Sequence, residues 1–294
     1  MARFLTVGNL LVEDVVRPDG SRALGRLGGD ALYAAIGARA FAGDVQPVVR
    51  LGRGFPDGLV DALRHAGFHA GLIPSDHDTI RLWVELGIDG GERFTFQSGT
   101  YVDATPVPGE IPAALTDGLE AVHVAPVPFA RMEALVRWAR PLARLLTVDP
   151  HYEHMAADWR PLLPLLDAFL PSRAEATALL GGWPGPERAV REIAALGART
   201  VVIKLGTDGS VGLRGDELVR LPAATASPVD PTGCGDAFCG GFLVGFAETG
   251  DLAAAMAYGT VSAGLVAADH GAAHALVPDG EAARRRLERL RASG

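Results

Sequence analysis

The sequence predicts an α/β protein in which helices flank a mostly parallel central sheet and a smaller second sheet stands apart. Two patterns carry that expectation. From Ala121 onward, short apolar runs alternate with helical ones. The strands are Ala121–Ala125, Leu145–Asp149, Ala168–Leu170 and Thr200–Lys204. Between them fall helical patterns at Phe129–Ala139, Met155–Leu165, Ala174–Leu180 and Glu187–Leu196. Buried strands joined through helices pair in parallel, and ligands gather at their C-terminal ends. Ile80–Leu86 and Arg93–Gln97 behave differently, alternating apolar with polar residues around Gly90-Gly91. That is the mark of a hairpin with one wet face, outside the buried sheet.

The N-terminal part supplies the remaining elements. Phe4–Gly8 reads as a buried strand ending in glycine, and Asn9–Val16 as an extended apolar segment carrying Glu13 and Asp14. Taken alone, those two carboxylates are solvent-facing charges on a strand edge. Gly28-Gly29-Asp30 opens a helix from Ala31 to Phe41, Val45–Leu51 is another strand, and Pro56–Ala66 another helix. Leu252–Ala268 is a late helix, and Arg284–Arg291 a solvated one.

Composition narrows the function classes. Among 294 residues the net charge is −8 with no compensating basic run, which argues against nucleic-acid binding. No apolar stretch reaches membrane-spanning length, and the N-terminal apolar run is too short for a signal peptide. The two cysteines, Cys234 and Cys239, make no disulfide framework, so a reduced cytoplasmic setting is expected. His123, His151 and His154 lack metal-ligand spacing.

The chemistry concentrates in Val229-Asp230-Pro231-Thr232-Gly233-Cys234-Gly235-Asp236-Ala237-Phe238. A turn leads through two glycines into an apolar helix marked by Phe238, Phe242 and Phe246. The first turn of a helix presents unpartnered N–H groups and the positive end of its dipole. Glycines let a bulky anion approach them, so the loop reads as a phosphate cradle. A carboxylate there repels the ligand unless it has a task, and accepting a proton from an attacking hydroxyl is such a task.

Residues 230–238 closely resemble the Asp-Thr-x-Gly-Ala-Gly-Asp signature of the ribokinase-like (PfkB) carbohydrate kinases, departing at Pro231 and Cys234. The resemblance implies a ribokinase-like fold for residues 1–294 as a single domain. The lid strands would come from about 10–16 and 80–97, and the lid would serve as a homodimer surface. It implies ATP and Mg2+ as cofactors, a monovalent cation such as K+ near Asp230 and Thr232, and a small polyol as acceptor. Asp236 becomes the catalytic base, and the amides of Gly233, Cys234 and Gly235 an anion hole.

Other motifs carry the resemblance along the chain. A substrate-binding Asp of the family falls at Glu13, with Asp14 beside it as the alternative. Gly28, Gly29 and Ala35 match a Gly-Gly-x-x-x-Asn-x-Ala segment facing the sugar, with Asp30 directly after the glycines as a further substrate contact and the Asn slot taken by Tyr33 or Ala34. Ser172-Arg173-Ala174-Glu175 is a capping box in its own right. It also resembles Asn-x-x-Glu, whose Glu organises Mg2+ and phosphates through water. Lys204-Leu205-Gly206-Thr207-Asp208-Gly209 is a hairpin turn, and by resemblance Gly206 and Gly209 border the ATP phosphates and ribose. Lys204 is placed to screen phosphate charge, although the family does not need a lysine there. His270-Gly271-Ala272 falls where the family closes over the adenine. The expected activity is ATP-dependent phosphoryl transfer to a hydroxyl of a sugar, nucleoside or related polyol. The alternatives are a catalytically silent kinase-like sensor and an unrelated hydride-transfer enzyme. The intact Gly-Cys-Gly-Asp argues against the first, and the lack of a dinucleotide fingerprint against the second.

Overall fold

A computed structural model describes residues 4–86 and 92–292. The N-terminal half contains β1 (Phe4–Val7), β2 (Leu11–Val16), β3 (Arg22–Gly28), α1 (Asp30–Arg39), β4 (Val45–Arg53), α2 (Asp57–His65), β5 (Leu72–Asp78), β6 (Ile80–Leu86), β7 (Glu92–Ser98) and the short α3 (Tyr101–Ala104). There follow β8 (Ala121–Val124), α4 (Phe129–Ala139), β9 (Leu145–Val148), β10 (Ala168–Phe169), α5 (Arg173–Leu180), α6 (Pro186–Ala195) and β11 (Thr200–Lys204). The chain ends with β12 (Ser210–Arg214), β13 (Glu217–Leu221), α7 (Cys234–Thr249), α8 (Leu252–Val266) and α9 (Gly280–Ala292).

Nine strands form the large sheet in the order β13-β12-β11-β10-β9-β8-β1-β4-β5. From β11 through β5 neighbouring strands run parallel, and β12 and β13 add an antiparallel edge. Their central members are buried along their whole length, as strands covered on both faces must be. Two apolar clusters result, one between the sheet and α1, α7 and α8, the other beneath α4 and α6.

The lid is a second sheet, ordered β3-β2-β6-β7. It contains the expected strands plus β3, whose Arg- and Gly-rich sequence gives little strand signal. It is mixed, since β2 and β6 run parallel. The Gly90-Gly91 turn lies outside the described residues. Glu13 and Asp14 sit on an interior strand of this sheet and are 5 % and 6 % exposed, so the strand-edge reading of them does not hold.

One helix is not formed. Met155–Leu165 was expected to be helical, yet it contains only a single-turn 3₁₀ segment at Leu163–Leu165, with another just before it at Tyr152–His154. Pro161 and Pro164 each remove an amide donor and clash with the preceding turn. The apolar residues that suggested a helix, Trp159, Leu162 and Leu163, are buried all the same.

Helices α7 and α8 are apolar on every side because both lie inside the molecule. Gly240 and Gly241 would weaken α7 in isolation. Here they permit contact: a Cβ at Gly240 would overlap the Ala34 carbonyl oxygen of α1, and one at Gly241 the Ser262 hydroxyl of α8. Among the described residues no helix is long and apolar enough to cross a membrane.

Candidate active site

Residues Pro231–Gly235 run between two cavities, with Pro231 lining both. The lid-side cavity, about 570 Å3, holds the carboxylates of Glu13, Asp30 and Asp236 between the rings of Tyr33 and Tyr101. The opposite cleft, about 300 Å3, is lined by small and apolar residues such as Ala223, Ala224, Pro228 and Ala263, with Lys204 and Gly206 on its polar side. A polar, acidic chamber thus backs onto an apolar slot, and the α7 N-terminus stands at the wall between them.

Gly233 caps α7 with φ +74°, and a Cβ there would run into the Tyr33 ring. Only glycine meets both demands. The Cys234 amide donates to the Pro231 carbonyl at 3.1 Å, so it is committed within the loop rather than free in an anion hole. The amides of Gly233, Gly235 and Asp236 have no acceptor among the described residues, leaving three donors at the positive end of the helix.

Asp236 is in the first turn of α7. Burial, and then the nearby carboxylates of Asp30 and Asp149, push its pKa well above the ordinary 3.8, with Lys204 pulling the other way. Lys204, at the end of β11, is ion-paired with Asp149 just beyond β9. Burial lifts Asp149 to about 7 against the pull of that ammonium. Lys204 is held protonated, since Asp149 and the other acidic neighbours outweigh its burial. The carboxylates of Asp30, Asp149, Glu175 and Asp236 therefore surround one ammonium. Such a site favours cations and binds anions only through its amides and Lys204.

Strand register settles the choice between Glu13 and Asp14. Glu13 pairs with Leu82, and both line the chamber. Asp14 points to the other face of β2, where it accepts from Gly25 N at 2.7 Å and Arg81 Nε at 2.9 Å. Asp14 holds the lid strands together and does not line the chamber. Gly28 lies directly under Glu13, where a Cβ would displace the carboxylate, and Gly29 lines the chamber itself. Asp30 reaches the chamber while accepting from Asn9 Nδ2 at 2.7 Å. Tyr33, not Ala34, faces it from the altered Asn position.

On the other side, Gly206 lines the slot and Gly209 an adjoining hollow of about 100 Å3. Gly209 also has φ +88° at a tight approach to β13, so the turn has a structural requirement of its own. The capping box at α5 is formed: Glu175 Oε2 accepts from Ser172 N at 2.6 Å, and Ser172 Oγ from Glu175 N at 3.3 Å. Glu175 lines neither cavity; its charge acts on Asp149 and Lys204 nearby.

The donor set fits Mg2+, which takes oxygen ligands and retains water. Asp149 Oδ1 is buried with no hydrogen-bond partner, and Glu175 has one oxygen outside its cap. A monovalent cation at Asp230 does not fit. Asp230 Oδ1 accepts from Thr232 N at 3.0 Å, and Oδ2 from Arg26 Nη2 at 2.8 Å and Gly271 N at 3.2 Å. His270 Nδ1 is 3.4 Å from the same oxygen, so His270-Gly271 lies against this carboxylate and not among the residues lining the slot.

The remaining candidates resolve simply. Burial lifts the Cys234 thiol to about 12 and the Cys239 thiol well above its usual value, so neither is a nucleophile. His123 is buried beside Thr147 and burial lowers it to about 3, making it a neutral core residue. His151 and His154, which lack metal-ligand spacing in the sequence, nonetheless come together with Glu153, their ligand atoms within 4.8 Å of one another around the 3₁₀ turn. Sequence reasoning left Asp149, Tyr101 and Arg26 without a role. Asp149 at least stands at a strand end; Tyr101 and Arg26 give no local signal.

An α/β sheet, a lid and a helix N-terminus with a carboxylate between two cavities define a lidded phosphotransferase. The family model "pfkB family carbohydrate kinase" matches residues 11–279, and the chain belongs to that family. It is 28 % identical over 256 residues to a cytidine kinase of Thermococcus kodakarensis, covering 84 % of this chain and 90 % of that one. It is 28 % identical over 262 residues to a 1-phosphofructokinase of Haloferax volcanii, covering 86 % and 82 %. Among solved structures, a candidate ribokinase II of Escherichia coli in complex with ATP and Mg2+ superposes with TM-score 0.79 at 19 % identity, covering 98 % of this chain and all of that one. The chain is an ATP-dependent phosphotransferase acting on a sugar or nucleoside.

Proposed function

We propose that Asp236 is the catalytic base, that the acceptor occupies the acidic chamber, and that ATP lies in the apolar slot with its phosphates at the α7 N-terminus. The observation that carries this reading is Asp236 at the wall between the cavities, beside three unpartnered amides. The acceptor hydroxyl gives its proton to Asp236 as its oxygen attacks the terminal phosphorus. The amides of Gly233, Gly235 and Asp236, with Lys204, take up charge building on the transferred group. Asp149 and Glu175 would hold Mg2+ through water; bound there, the ion neutralises phosphate charge. Glu13 and Asp30 accept hydrogen bonds from acceptor hydroxyls, with Gly29 allowing close approach. Gly206 and Gly209 border the nucleotide. The lid excludes water as a competing acceptor. Residues 1–294 act as one ribokinase-like domain in the cytoplasm. The exposed Leu24 and Phe96 on the lid's edge strands support a homodimer through the lid.

The acceptor carries no phosphate of its own. Three carboxylates line the chamber, and neither Lys nor Arg does among the described residues. Juxtaposing like charges costs several kcal/mol, so kcat/KM for a neutral polyol should exceed that for its phosphate ester by about 10²-fold or more. A panel of sugars, nucleosides and sugar phosphates tests both points. Efficient turnover of a phosphate ester would place the acceptor elsewhere.

The pH dependence follows from Asp236. Its carboxylate must be ionised to accept a proton, and its raised pKa keeps it protonated to higher pH than a free aspartate. Activity is therefore present above that pKa and lost as pH falls through it. The acid limb of kcat/KM should lie well above the ordinary 3.8. A limb at the ordinary position would remove Asp236 from this role.

A further inference from the structure

Asp230 opens the phosphate-binding segment, and its surroundings are unusual for a residue expected to border a metal ion. Its side chain is 4 % exposed, and its partners come from three separate parts of the chain. Arg26 reaches it from β3 of the lid across 204 residues of sequence. Gly271 N and His270 Nδ1 approach from the segment after α8, and Thr232 N from the loop itself. Burial would raise the carboxylate's pKa, yet Arg26 and Thr232 hold it at about 2, so it is an anion at working pH.

Arg26 is built into this position. It pairs with Glu13 across β2 and β3, which places both side chains on the same face of the lid sheet. Its guanidinium fills the space that a Cβ on Gly271 would need. A buried carboxylate without a counter-charge is costly, and this one stands next to a loop that must receive phosphates. Some cation is required there, and the chain supplies it.

We propose that Arg26 is a resident cation: its guanidinium stands where a monovalent ion would otherwise neutralise Asp230, and by doing so it ties the lid to the phosphate-binding loop. Arg26 is a positioning residue, acting on the loop through Asp230. The proposal rests on reading residues 231–235 as that loop. One consequence is chemical: turnover needs no K+. Another is mechanical: the charge that sets the loop arrives on the lid strand, so loop geometry and lid position are coupled.

The test compares the wild-type protein with Arg26→Ala in buffers of equal ionic strength made with K+ or with tetramethylammonium. Two quantities are read, melting temperature without substrates and kcat. For the wild type both should be the same in the two buffers. For Arg26→Ala the vacated space admits a small cation, so melting should be higher in K+ than in tetramethylammonium. Its kcat in tetramethylammonium should fall by about 10²-fold, the scale of a misplacement of order 1 Å at a reacting centre, and recover partly in K+. Wild-type stimulation by K+ overturns the proposal, as does an Arg26→Ala protein whose losses are equal in both buffers. If Arg26→Ala does not fold, Arg26→Gln takes its place, and the wild-type comparison still decides. The melting readout needs no turnover, so failure of the catalytic assignment and failure of this one remain distinguishable.

Discussion

Asp236→Asn is expected to lower kcat by about 10²- to 10⁴-fold, the usual worth of a positioned general base, while ATP binding is retained. The amide has nearly the shape of the carboxylate, so the loop and its three free amides should keep their arrangement. It cannot accept a proton from the acceptor hydroxyl. Removing one negative charge from a cluster that also contains Asp30 and Asp149 should leave nucleotide affinity unchanged or slightly tighter, because less repulsion meets the incoming phosphates. Steady-state kinetics give the first quantity and calorimetric titration with ATP the second. Near-normal turnover would end the base assignment; loss of ATP binding with intact folding would mean the carboxylate organises the nucleotide instead.

Gly240→Ala is expected to destabilise the protein clearly. The added Cβ would coincide with the Ala34 carbonyl oxygen, which belongs to α1 and cannot swing aside as a side chain could. Overpacking of this kind costs about 1–3 kcal/mol and occasionally more. At about 2–4 °C per kcal/mol for a chain approaching this size, melting should fall by several degrees. Gly58→Ala is the matched control. Gly58 is exposed within α2, and a Cβ there meets nothing within 4 Å. The same change should stabilise the protein by about 0.4–1 kcal/mol through the unfolded chain's lost freedom. Equal effects at the two sites would mean that α1 and α7 are not in close contact.

The glycine turn feeding α7 was legible in sequence because its requirements are local. Gly233 must adopt a left-handed conformation, Gly235 must leave its amide open, and Asp236 must enter the first turn of α7; three neighbouring letters specify all of this. The β/α alternation was legible for a similar reason, since burial on both faces writes itself into each strand. What escaped depends on partners far away. Choosing Glu13 over Asp14 required the pairing of β2 with β6, because one step along a strand reverses the face. Asp230 is an ordinary turn residue in sequence, and only folding brings Arg26 to it. Strand β3 escaped because arginine and glycine are poor strand formers and its place is set by pairing with β2. The missing helix after β9 shows the reverse error. Trp159, Leu162 and Leu163 have helical spacing and are buried, yet prolines at 161 and 164 make the segment pack as turns.

The segment at 231–235 has a consequence for the order of events. With the acceptor in the chamber and ATP in the slot, as proposed, the two reactants would reach it from opposite faces, so neither would have to depart before the other could enter, and no side chain would be needed to carry the group in between. Phosphorus would then change hands in one in-line displacement, inverting its configuration, from a complex in which both reactants are bound together.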